Sequence, residues 1–195
     1  MIKKKFVIIG NPVSHSLSPE IHNYWFKKNN LNSTYEKRET LENELGSLIN
    51  EIRNDQIHGA NVTVPYKQKI IPFLDKLSDI AKKTQSVNTI FKKDNLVFGE
   101  NTDVYGFTQS IKHQKISLKD KIALILGAGG VVPSLISALE SLSIQKIFIT
   151  NRSPDKIDIL KKRYQNIEAL EWGETINFDI VINATSVGLK AGDKI

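Results

Sequence analysis

The sequence has no cysteine and a single methionine. Disulfide stapling and cysteine-based zinc sites are thereby excluded, no metal site is expected, and a reducing cytoplasm is the expected setting. Aromatic residues make up only 8% of the chain, and they do not interleave with basic residues in the strip that would stack single-stranded nucleic acid. Long apolar runs are missing too. Behind the basic tip at Lys3, Lys4 and Lys5, the apolar stretch 6–9 is too short for a signal-peptide core. No segment approaches the roughly 20 apolar residues that span a membrane. Charge of one sign is only mildly in excess, with 27 basic against 21 acidic residues and a net charge of +6. The lysines are scattered among acids, which suits solubility and weak steering of anionic ligands better than nucleic-acid binding.

What is present is an ordinary globular composition, 40% apolar and 25% charged over 195 residues. That length lies between one large domain and two small ones, so motifs must decide the domain count. In the first half, strand-like and helix-like segments alternate. Residues 5–10 read as a buried strand leaving into Gly-Asn-Pro, and 19–29 has helical spacing. Residues 33–39 suit a strand, and 41–53 form an amphipathic helix with Leu45, Leu48, Ile49 and Ile52 on one face. A strand at 59–64, helical turns over 66–84 and two short strands at 87–92 and 96–99 follow. Such alternation predicts an open, mostly parallel α/β sheet with helices on its faces.

At Lys121 the texture changes. Residues 122–126 are a continuous apolar strand, followed by Gly127, Ala128, Gly129, Gly130 and Val131 and then a helical pattern. A second strand at 146–150, a helix at 154–164, a short strand near 169–171 and a last strand at 179–183 complete the chain. This is the opening half of a Rossmann-type fold, four strands of about six. The expected organisation is a substrate-binding catalytic domain at 1–103 and a cofactor-binding Rossmann domain at 104–195. The second is expected to be C-terminally incomplete, with Ile195 in a loop.

The glycine cluster carries the clearest chemistry. A strand feeding Gly-x-Gly and then a helix aims backbone N–H groups and the helix N-terminus at a pyrophosphate, and a Cβ would block that approach. Both flanks required by the mechanism are present, which favours a nucleotide site over a structural loop. One departure is Val132, where glycine or alanine usually lets helix and strand pack closely; Pro133 sits in the first turn, where proline is tolerated. An NAD site of this kind carries an acid about 20 residues after the first glycine. Here that region reads Thr150, Asn151, Arg152, Ser153, with Lys156 one turn on. Arginine suits bidentate recognition of a 2′-phosphate, which favours NADP over the alternative of Arg152 as a solvated loop residue.

In the first half, Ser16 and Ser18 precede a helix beginning near Pro19. Ser18 as N-cap is a sufficient structural account; two hydroxyls near a helix N-terminus would also make an anion pocket. His15 is read as a local hydrogen-bonder. Asn61 and Thr63 alternate with valines and so share one strand face. Lys67 is by default a surface lysine. Asn88 and the Asn101-Thr102-Asp103 segment are polar residues at strand ends, where open α/β sheets place their ligands.

In order along the chain stand Ser-His-Ser-Leu-Ser-Pro, Asn-Val-Thr-Val-Pro-Tyr-Lys, Val-Asn-Thr, Asn-Thr-Asp, Gly-Ala-Gly-Gly, Asn-Arg-Ser and Asn-Ala-Thr-Ser. This set resembles the shikimate dehydrogenase family over the whole chain. The resemblance implies reversible, NADP-dependent reduction of 3-dehydroshikimate to shikimate. It further implies that Ser16 and Ser18 hold the substrate carboxylate, and that Asn61, Thr63, Asn88 and Asp103 lie along the ring. Lys67 would be the acid/base, paired with Asp103. Gly127 to Val131 would cradle the pyrophosphate, with Asn151, Arg152, Ser153 and Lys156 at the 2′-phosphate and Thr185 towards the nicotinamide. A quinate-accepting or NAD-using relative and a non-catalytic ligand-binding module remain open. A homodimer is also left open.

Overall fold

The computed structural model describes residues 3–188, so Ile195 lies outside the described residues. The chain divides into two compact units, Met1–Thr102 and Asp103–Ile195.

The first unit contains β1 (Lys4–Gly10), α1 (Ser18–Lys28), β2 (Ser33–Glu39), α2 (Leu45–Arg53) and β3 (Gly59–Val62), then β4 (Lys76–Leu77), α3 (Asp79–Thr84), β5 (Thr89–Lys93) and β6 (Leu96–Glu100). Its sheet has the order β2-β1-β3-β5-β6-β4. Only β5 runs against the others. The reversal follows from the two-residue loop Asp94-Asn95, both at positive φ (51° and 59°), which closes a β5–β6 hairpin. The face of α2 read from its periodicity is the one buried: Leu45, Leu48, Ile49 and Ile52 are fully inaccessible and pack on Val7, Ile9 and Ile90. Each such side chain contributes about 1.5–3 kcal/mol on burial. Arg38 on β2 grips Glu51 on α2 through two bonds of 2.7 and 2.8 Å.

Three expectations are corrected here. β3 ends at Val62, not residue 64, because the chain turns at Thr63, whose carbonyl accepts from Tyr66 N at 2.9 Å, and Pro65 has no N–H to continue a ladder. The expected helical stretch 66–84 is a 3₁₀ turn at Ile71–Phe73, the short strand β4 and α3. Pairing with β6 makes β4 a strand: Gly99 lacks the Cβ that would lie 2.6 Å from Leu74 and 2.9 Å from Leu77. The Ser18 hydroxyl does not cap α1; the helix includes Ser18, and it is Ser16 Oγ that accepts from the Ser18 N–H at 3.2 Å.

The second unit contains α4 (Asp103–His113), β7 (Ile122–Leu126), α5 (Val132–Ser141), β8 (Lys146–Thr150), α6 (Asp155–Lys161), β9 (Ile167–Ala169) and β10 (Ile180–Asn183). Its four strands are all parallel, in the order β10-β7-β8-β9. In chain order this is the 4-1-2-3 arrangement of a Rossmann half, with the crevice between β7 and β10. α6 is shorter than expected, and Tyr164 beyond it is buried with its hydroxyl 3.3 Å from Pro133 O. β9 lies two residues earlier than expected because Ile167 pairs with Ile147 inside the core. Val132 is wholly buried at the start of α5, so the site usually given to a small residue is filled by core packing.

Candidate functional site

In the first unit, the polar residues singled out from sequence gather at one sheet edge, where β1 and β3 end. Thr63 N donates to Ile9 O at 2.9 Å and Asn11 N to Val64 O at 3.1 Å, which ties the exits of the two strands together. Gly10 has to be a glycine: a Cβ there would stand 2.5 Å from Thr63 Cγ2 and 3.0 Å from Val64 O. Because β5 is antiparallel, its beginning falls at the same edge, and Val62 N donates to Asn88 O at 2.8 Å. Lys67 is joined to this edge through its carbonyl, which accepts from Val87 N at 2.8 Å; its side chain is partly exposed.

The side chains there are oriented by one another. Ser16 Oγ and Ser18 Oγ are 3.1 Å apart and both residues are half-buried. Asn61 Nδ2 donates to Asn88 O and to Thr89 Oγ1, each at 3.1 Å. Asn88 Oδ1 accepts from Thr102 N at 2.9 Å, while its Nδ2 donates to Thr102 Oγ1 at 2.9 Å. Asn101 is buried, donating to Ser86 O at 2.9 Å, and so acts as framework. Two hydroxyls, a threonine, a carboxamide and a lysine at one edge can receive a small polyhydroxylated anion. Asp103 is the first residue of α4, in the second unit.

Sequence reasoning passed over Tyr35. It is buried on β2, and its hydroxyl donates to Asn61 Oδ1 at 2.6 Å. Burial pushes the phenol well above the ordinary tyrosine range, so it remains a donor at neutral pH. His22 stacks flat on its ring at 4.3 Å, and burial lowers the imidazole pKa. Thr102, read from sequence only as part of the Asn101-Thr102-Asp103 segment, holds Asn88 in place.

In the second unit, Gly127 follows β7 and the Ala184-Thr185 segment follows β10, so the two loops flank the β7/β10 crevice. Gly127 has φ +106° and its Cβ position lies 2.9 Å from Ala184 O and 3.0 Å from Thr185 Cγ2. Gly129 and Gly130 differ: a Cβ at Gly129 would meet only Ala184 O at 3.7 Å, and nothing lies within 4 Å at Gly130. Space is therefore open at both Cβ positions, and the residues fit a pyrophosphate cradle at the start of α5. Val131 stands immediately before α5. Asn151 braces the loop, accepting from Ala128 N at 3.2 Å and donating to Ser153 O at 2.8 Å. Arg152, Ser153 and Lys156 are exposed beyond it. Asn183, another residue not singled out, accepts from Thr185 N and Oγ1 at 3.0 and 2.7 Å and fixes that turn. Among the described residues no cluster of His, Asp or Glu could hold a metal, and no helix is long and apolar enough to cross a membrane.

Comparison with known proteins agrees in both halves. A family model described as the shikimate dehydrogenase substrate binding domain matches residues 8–90, and one described as shikimate / quinate 5-dehydrogenase matches residues 109–189. The shikimate dehydrogenase (NADP(+)) of Pelagibacter ubique (strain HTCC1062) is 54% identical over 194 residues, covering 100% of this chain and 73% of that protein. The crystal structure of shikimate dehydrogenase from Aquifex aeolicus superimposes with a TM-score of 0.89 at 34% identity, over 100% of this chain and 74% of that one. The Thermus thermophilus shikimate 5-dehydrogenase, solved in complex with NADP(H) and shikimate, gives 0.86 at 32% identity over 95% and 70%. The chain belongs to the shikimate dehydrogenase family.

Proposed function

We propose that this chain is an NADP-dependent shikimate dehydrogenase, an oxidoreductase that acts on a CH–OH group and interconverts 3-dehydroshikimate and shikimate in the shikimate pathway of aromatic amino-acid biosynthesis. The observation that carries the reading is the convergence of Ser16, Ser18, Thr63, Lys67 and Asn88 on one edge of the first sheet. The open space beside Gly129 and Gly130 in the second unit supports its cofactor half. The first unit takes the substrate and the second takes NADP.

The residue chemistry supports each role. Ser16 and Ser18 donate to the carboxylate, which only accepts. Thr63, Asn88 and Asp103 hold the ring hydroxyls, and Asn61 orients Asn88. NADPH supplies the hydride when bound. Reduction of a ketone leaves an oxygen that needs a proton, and the Lys67 ammonium donates it; in the reverse direction the amine takes it back. Gly127, Ala128, Gly129, Gly130 and Val131 face the pyrophosphate, and Arg152 and Lys156, with Asn151 and Ser153 shaping the turn, meet the 2′-phosphate. Thr185 lies towards the nicotinamide. A cysteine-free composition supports a cytoplasmic setting.

The test is a matrix of shikimate and quinate against NADP and NAD, following formation of the reduced nicotinamide. Shikimate with NADP gives the highest kcat/KM on this reading. Quinate with NAD as the best pair would replace it, and binding of both ligands without turnover would make the chain a binding module.

A further inference from the structure

We propose that Asn183 is a positioning residue for NADP: it makes the Thr185 hydroxyl an acceptor only, matched to an N–H or O–H donor on the nicotinamide half of the cofactor. This rests on the reading of the second unit as the NADP-binding half, with Thr185 towards the nicotinamide.

The polarity of the turn after β10 follows from groups that can only donate or only accept. Asn183 Nδ2 stands 3.0 Å from Val187 O, a carbonyl that only accepts. Asn183 Oδ1 stands 3.0 Å from Thr185 N, an amide that only donates. Each contact fixes the sense of the carboxamide independently of the other. Thr185 Oγ1, 2.7 Å from the same Oδ1, therefore has to give its proton to Asn183. Val187 N donates to Thr185 Oγ1 at 3.1 Å and takes up one of its lone pairs. The hydroxyl keeps one lone pair and no proton.

That polarity selects the ligand group. A phosphate oxygen only accepts and finds no proton at Thr185, so this hydroxyl is no part of the pyrophosphate cradle. The nicotinamide half carries donors, the carboxamide –NH₂ and the ribose hydroxyls. The turn is also held in place. Ala184 N donates to Leu126 O at 2.8 Å, and Thr185 Cγ2 lies 3.0 Å from the Cβ position of Gly127. With Oγ1 held at both sides, the side chain cannot leave its rotamer without breaking two hydrogen bonds. Asn183 thus sets the acceptor before the cofactor arrives, a pre-organisation that acts on cofactor binding.

The test is calorimetric titration with NADPH, with adenosine 2′,5′-bisphosphate, which lacks the nicotinamide half, and with the 3-acetylpyridine analogue of NADP, which has no carboxamide N–H. Thr185→Val and Asn183→Ala each raise the Kd for NADPH about tenfold, and the double variant adds less than about threefold to either. Both leave the bisphosphate within about twofold of wild type, and Thr185→Ser, which keeps the hydroxyl, restores NADPH binding to within about threefold. If the Thr185→Val penalty vanishes with the acetylpyridine analogue, the carboxamide is the donor; if it persists, a ribose hydroxyl is. An unchanged NADPH Kd in Thr185→Val, a Thr185→Ser variant as weak as Thr185→Val, or an equal loss of bisphosphate binding overturns the proposal. Wild-type protein that binds neither NADPH nor the bisphosphate overturns the cofactor assignment itself, and the proposal with it.

Discussion

Gly127→Ala separates structural from ligand-facing glycines within one short loop. At φ +106° an alanine takes a backbone conformation that costs about 1–3 kcal/mol. Its methyl would also stand 2.9 Å from Ala184 O and 3.0 Å from Ala184 C. Those are backbone atoms at the end of β10 and cannot swing aside like a side-chain tip, which adds about 1–3 kcal/mol. The sum, about 2–6 kcal/mol, is a large fraction of the about 5–15 kcal/mol typical of a folded protein. Gly130→Ala meets nothing within 4 Å, and its stability effect is within about 0.5–1 kcal/mol of zero. Its methyl instead occupies the open space assigned to the pyrophosphate, and NADPH affinity falls by about tenfold or more. Chemical denaturation, with NADPH fluorescence titration on the same samples, reads both effects. Equal stabilities for the two variants would refute the steric argument, and undiminished NADPH binding by Gly130→Ala would refute the cradle.

The remaining predictions concern the other cofactor contact, the substrate edge and acid stability. Arg152→Ala raises the KM for NADP by about 10–100-fold and leaves the KM for NAD nearly unchanged, the loss of one charge-assisted phosphate contact; equal losses for both cofactors would remove Arg152 from the 2′-phosphate. Gly10→Ala pushes Thr63 from its place, since the new methyl would lie 2.5 Å from Thr63 Cγ2, and raises the KM for shikimate more than that for NADP. The Arg38 guanidinium holds the Glu51 carboxyl below its ordinary value of 4.5. The stability from this pair is therefore present above the unfolded pKa and is lost as pH falls through the lower folded one. Glu51→Gln costs about 1 kcal/mol at neutral pH, kept small by solvent at this partly exposed pair, and wild type and variant converge in acid. A gap that persists in acid would contradict the sign.

How much of this was legible in the sequence depended on the range of the forces involved. β7 and β8 were readable to the residue because a central parallel strand must be apolar on both faces, as 122–126 and 147–149 are. α2 was readable from its apolar spacing, and the glycine loop from its flanks. The region 66–84 was not, since β4 exists only through its pairing with β6, about twenty residues on. Ser18 looks like an N-cap locally, yet its amide donates to Ser16 Oγ and its hydroxyl pairs with the same serine. Tyr35 itself carried no local signal, because its partners stand 12 to 26 residues away. Gly127 and Gly130 read alike in sequence and are distinguished only by what Ala184 and Thr185 place beside the first.

The most direct test is the appearance of reduced nicotinamide on mixing the protein with shikimate and NADP, run in parallel with Lys67→Ala. The account predicts turnover by the wild type, and in the variant a kcat lower by about 10²–10⁴-fold with shikimate affinity within a few-fold. Full turnover by Lys67→Ala, or none by wild type saturated with both ligands, would contradict it.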